Sequence, residues 1–140
     1  VNTDKQKFYI TTSWMNKYSH QEDTHQHFHS NSLVSGVLYF EDCEDTAGLS
    51  FHKRQGWDNL FQYSVNLDFN SQKNKNNMSY IYNESTITIE PKQWDLVMFP
   101  STLNHSVRPN KSTQKVRYSL AFNTFVRGTV GDSGSQLDIK

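Results

Sequence analysis

Apolar and polar side chains alternate with a period of two along much of this chain, the pattern of strands with one buried face. No segment of about ten residues or more combines helical spacing with end caps. Residues 8–15, rich in aromatic and β-branched types, predict a first strand or strand pair, and polar residues 16–24 a loop. Residues 33–40 predict a second strand. Gly36 inside it marks a bulge or the close approach of a ligand or another backbone. Residues 48–53, 61–69 and 86–90 read as further strands, and 91–93 as a turn. Residues 94–99 form an apolar strand stopped by Pro100, 106–108 a short one, and 116–126 the last long one. The acidic run 41–45 predicts a solvated turn. Residues 70–77 predict either a plain connection or a loop over a substrate. Beyond Gly128 the chain turns polar and is expected to fray.

About seven or eight short strands separated by turns imply an all-β sandwich or barrel, and a jelly roll if a metal is bound inside. The expected organisation is a single domain over residues 1–128 followed by a polar C-terminal tail, 129–140.

At 140 residues the chain is long enough to bury one core without disulfides. Fourteen basic and 14 acidic residues cancel to a formal charge of zero, which argues against nucleic acid as a partner. Cys43 is the sole cysteine and sits among Glu41, Asp42, Glu44 and Asp45, whose charge disfavours a thiolate. It is expected to be a bystander in a reducing compartment. With neither a run of about eighteen apolar residues nor the basic-then-apolar order of a signal peptide, an intracellular soluble protein without a membrane partner is expected. The chain opens at Val1 rather than Met, as expected of either a processed product or a chain given without its N-terminal portion.

The chemistry is concentrated in His25-Gln26-His27-Phe28-His29, at the mouth of the second strand. A lone histidine is ordinarily a surface polar residue. Three at alternate positions would share one face of an extended backbone, a metal-site geometry suited to iron, zinc, copper or nickel. His105 beside a later apolar segment is a further ligand candidate, and Arg117 and Ser119 share one side of the last strand. Glu22 and Asp23 could supply a carboxylate, while His20 and His52 fit no ligand pattern.

These blocks together resemble the phage and bacterial branch of the 2-oxoglutarate and iron(II)-dependent oxygenases. The resemblance rests on Ser13-Trp14-Met15-Asn16, His27-Phe28-His29-Ser30-Asn31-Ser32, Ser35-Gly36-Val37-Leu38-Tyr39-Phe40 and Gly48-Leu49-Ser50-Phe51. It continues through Asp95-Leu96-Val97-Met98-Phe99-Pro100-Ser101, His105-Ser106-Val107 and the block from Arg117 to Asn123, in family order. It implies a double-stranded β-helix, the jelly-roll or cupin-like form of the all-β reading. His27, His29 and His105 would be the metal ligands. Arg117 and Ser119, with Tyr39, would bind 2-oxoglutarate, since a guanidinium grips a carboxylate through two parallel hydrogen bonds. Fe(II), 2-oxoglutarate and O2 would be the cofactor and co-substrates, and the substrate a small molecule or a peptidyl group. Most of the superfamily has a carboxylate where this chain has His29, so His25-x-His27 stays open as an alternative register. Trp14, Trp94 and Phe99 are candidates for closing the pocket. Two other readings are a three-histidine cupin-like enzyme that does not use 2-oxoglutarate and a jelly-roll binding module without catalysis.

Overall fold

The computed structural model describes residues 6–42, 48–52 and 86–140. The strand expected over 61–69, the connection over 70–77, and Cys43 with the later part of the acidic turn lie outside the described residues. Nine strands are described: β1 Gln6–Tyr18, β2 Thr24–His27, β3 Val34–Tyr39, β4 Leu49–His52, β5 Thr86–Ile89, β6 Leu96–Pro100, β7 Asn104–Val107, β8 Arg117–Val130 and β9 Leu137–Ile139. No helix occurs among the described residues, and none is long and apolar enough to cross a membrane.

The strands form two antiparallel sheets, one ordered β1-β8-β3-β6 with β9 on β8, the other β2-β7-β4-β5. The first and the last long strand therefore lie side by side, and β3 flanks β8 on its other edge. The inner face of the larger sheet follows from the period of two. Trp14, Asn16 and Tyr18 of β1 stand opposite Ala121, Ser119 and Arg117 of β8, while Val37 and Tyr39 of β3 oppose Ala121 and Ser119. The register of β1 against β8 slips between Ile10 and Thr12, and the Thr11 hydroxyl donates to the Asn123 carbonyl at 3.2 Å. Such a one-residue bulge switches which side chains face inward.

Several boundaries differ from the sequence-based expectation. Residues 16–18 belong to β1 rather than a loop, because the ladder with β8 carries the strand on to Tyr18. Trp94 lies outside β6, with φ of 68° and 64% exposure, in the turn whose amide donates to the Tyr39 carbonyl at 2.8 Å. Pro100 falls inside β6, tolerated because β6 is an edge strand on the described path. Gly36 admits neither ligand nor backbone. It makes room for the cross-strand Phe122 ring, whose Cζ would lie 2.3 Å from an added Cβ. Nor does the chain fray beyond Gly128: Asp132 accepts from the Gly134 amide and the Ser135 hydroxyl, turning the chain so that β9 pairs with the end of β8.

A chain of buried hydroxyls ties the larger sheet to the approach to β3. Ser101, fully buried, shares hydrogen bonds with Ser32 at 2.7 Å and Ser35 at 2.8 Å, and Ser35 donates to the Asn123 side-chain carbonyl at 2.7 Å. Pairing satisfies hydroxyls that burial would otherwise leave costly.

Candidate metal centre

His27 and His105 are direct cross-strand partners on β2 and β7, with ring centroids 4.3 Å apart. His29 follows just past the end of β2. Its amide donates to the Ser101 carbonyl at 2.9 Å, and its ring centroid lies 5.1 Å from that of His27 and 5.0 Å from that of His105. One nitrogen from each of the three imidazoles lies within 4.8 Å of the others. Metal–nitrogen bonds of about 2.1 Å set neighbouring ligands roughly 3 Å apart, so small ring rotations would bring all three onto one ion.

The tautomers suit that task. Nδ1 of His27 faces the His25 carbonyl at 2.9 Å, and Nδ1 of His105 faces the Leu103 carbonyl at 2.9 Å. A carbonyl only accepts, so each Nδ1 carries hydrogen and Nε2 keeps its lone pair for a metal. Burial, helped by the neighbouring imidazoles His27, His29 and His52, pushes His105 down to about 4, against a hydrogen bond to Leu103 that works the other way. Burial, then the charge of His27, also lowers His29. Both shifts favour the neutral, ligating form.

His25 does not join the group. The register of β2 slips between Thr24 and His27, and His25 stays exposed, its ring 5.8 Å from that of His27 but outside the group of three. Its carbonyl instead fixes the His27 ring. Among the described residues no carboxylate joins the three imidazoles. Glu22 accepts from the Ser19 amide at 2.6 Å, and Asp23 is exposed. His20 reaches the Ser112 carbonyl, and His52 is held by the hydroxyls of Thr86 and Ser106. Phe99 packs against His105 at 4.7 Å and Trp14 lies 5.6 Å from His29, whereas the exposed Trp94 closes nothing.

Between the sheets, a cavity of about 90 Å³ has His27 and His105 on the smaller sheet and Arg117, Ser119, Tyr39 and Asn16 on the larger one. Arg117 is 1% exposed, and its Nε and Nη1 are buried without a hydrogen-bond partner among the described residues. Its guanidinium carbon stands 4.5 Å from the centroid of the Tyr18 ring. Two buried guanidinium nitrogens without hydrogen bonds are costly, and an anion in the cavity would satisfy them. Ser119, also buried, sits within 3.4 Å of the Asn16 amide nitrogen. Asn16 and Tyr18 are site residues that the sequence reading assigned to a loop. The alternation Trp14, Asn16, Tyr18 was the signal that could have found them.

Residues 12–123 match the model of the family described as "Putative 2OG-Fe(II) oxygenase". The chain belongs to this family. Solved structures carry the same fold. A 2OG-Fe(II) oxygenase family oxidoreductase from Burkholderia pseudomallei aligns at TM-score 0.57 and 12% identity over 88% of this chain and 47% of its own. AviO1 from Streptomyces viridochromogenes Tue57 aligns at 0.56 and 11%, over 94% and 54%. HygX from Streptomyces hygroscopicus, with nickel and 2-oxoglutarate bound, aligns at 0.54 and 9%, over 84% and 57%. The chain thus spans about half the length of these proteins. No curated protein sequence matches it. The two antiparallel sheets are the double-stranded β-helix of the 2OG-Fe(II) oxygenases, and membership of the family implies Fe(II), 2-oxoglutarate and O2. The donor set fits that metal: three imidazoles, with an arginine in the adjoining cavity whose Nε and Nη1 have no hydrogen-bond partner among the described residues.

Proposed function

We propose that the chain is an iron(II)- and 2-oxoglutarate-dependent dioxygenase that oxidises a small-molecule or peptidyl substrate. The observation that carries this reading is the buried Arg117, with Nε and Nη1 unpaired among the described residues, in the cavity that also receives His27 and His105. His27, His29 and His105 hold the metal, the first and last through Nε2. Arg117 binds the far carboxylate of 2-oxoglutarate through two parallel hydrogen bonds, with Ser119 and Tyr39 as flanking hydroxyls. Iron, when bound, supplies oxygen activation coupled to oxidative decarboxylation of 2-oxoglutarate. The apolar lining from Val37 and Leu49 excludes water and strengthens the electrostatic hold on the acid.

The block His27 to Ser32 supports the phage branch of the family, and with it a site of action in the host cytoplasm. Zero formal charge supports a partner list without nucleic acid, and the lack of a spanning helix among the described residues is compatible with one that also omits a membrane.

Anaerobic addition of iron(II) and 2-oxoglutarate tests the reading. A visible charge-transfer band, and succinate once air is admitted, is the expected result. The absence of both band and succinate would overturn it.

A further inference from the structure

Tyr18 is buried at the C-terminal end of β1, directly opposite Arg117 in the register with β8. Its ring supports the guanidinium from one face at 4.5 Å, leaving Nε and Nη1 unpaired. The ring is itself held at its tip. The Tyr18 hydroxyl and the Thr24 hydroxyl share a hydrogen bond of 2.6 Å, and Thr24 begins β2, the strand that ends in His27. The backbone is held as well: the fully buried Asn110 donates to the Tyr18 carbonyl and the Lys115 carbonyl, both at 2.9 Å. One side chain thus touches the arginine of the larger sheet and the metal-bearing strand of the smaller one.

We propose that Tyr18 is a positioning residue for the acid. Its ring face fixes the Arg117 guanidinium at a set distance from the three imidazoles, and its bond to Thr24 fixes the ring relative to β2. An arginine side chain has several rotatable bonds, and restricting them before the acid arrives removes an ordering cost from binding. Ordering one rotamer-rich side chain on binding weakens a binding constant by a factor of about 2 to 10.

This inference rests on Arg117 binding the far carboxylate, and the test separates the two. Calorimetry on protein loaded with cobalt(II) compares 2-oxoglutarate with pyruvate, which offers the same 2-oxo acid end but no far carboxylate. Tyr18→Leu removes the ring face. It should weaken 2-oxoglutarate by about 2- to 10-fold while leaving pyruvate unchanged, and Tyr18→Phe, which keeps the face, should restore most of the preference. Should Tyr18→Leu fail to fold, Tyr18→Met serves the same comparison. Equal losses for both acids, or no loss for either, would overturn the role of Tyr18. A wild-type protein that binds both acids equally would instead overturn the assignment of Arg117, and the inference with it.

Discussion

The ring of His27 lies 4.3 Å from that of His105, across a strand pair whose members come from opposite halves of the chain. The pairing of β2 with β7 is therefore what creates the metal centre, and each ring is turned by a carbonyl two residues before it. Single alanine substitutions should follow this geometry. His27→Ala and His105→Ala should each lose bound iron on gel filtration, whereas His25→Ala, which keeps the carbonyl that orients His27, should retain it. Full iron retention by both His27→Ala and His105→Ala would remove the centre as assigned.

Arg117 should cost stability and give function. Replacing an unpaired buried charge by an apolar side chain of similar length relieves desolvation, so Arg117→Met should raise the unfolding free energy of the acid-free protein by about 1–4 kcal/mol. The same change should weaken 2-oxoglutarate by about 100-fold or more, because two charge-assisted hydrogen bonds are lost. Denaturant unfolding and calorimetry on one preparation check both directions.

Acid should destabilise the metal-free protein through the same histidines. His105 is lowered to about 4 in the fold by burial first, so between that value and the ordinary histidine range near 6.5 the unfolded chain binds the proton more tightly. Its contribution is intact above about 6.5 and is lost progressively as pH falls toward 4, a total on the order of 3 kcal/mol. His29 adds in the same direction. Unfolding midpoints measured across this window should fall with pH, and His105→Gln should flatten the slope.

Ser101 holds His29 indirectly. Its carbonyl accepts the His29 amide, and its hydroxyl is placed by Ser32 and Ser35. Ser101→Ala takes one hydrogen bond from each of Ser32 and Ser35, which keep the Thr124 carbonyl and the Asn123 side chain as partners, and should cost about 1 kcal/mol of stability. Thermal unfolding checks this, and metal titration should show only slightly weaker binding, since the carbonyl that anchors His29 is kept and only its placement by Ser32 and Ser35 is lost.

Gly36 is packed to its limit. Gly36→Ala would place a methyl 2.3 Å from Phe122 Cζ, so the ring must move, at a cost of about 1–3 kcal/mol. Gly36→Ala combined with Phe122→Leu should recover part of that loss, as a double-mutant cycle would record.

The sequence by itself determined the all-β class, most strand positions, and the residue types of the centre. Side-chain alternation is a local property, and the blocks from Ser13 to Asn123 follow family order. The grouping of His29 rather than His25 with His27 and His105, the true length of β1, the closure of the C-terminal hairpin and the placing of Asn16 and Tyr18 on the cavity wall came only from the tertiary structure. Each depends on which strand lies alongside: the slip in β2 against β7 turns His25 out, β8 extends β1 to Tyr18, and β9 finds the free edge of β8. Pairing partners distant in sequence leave no mark on local periodicity, and it is those partners that bring Arg117 and the imidazoles of His27 and His105 to opposite walls of one cavity.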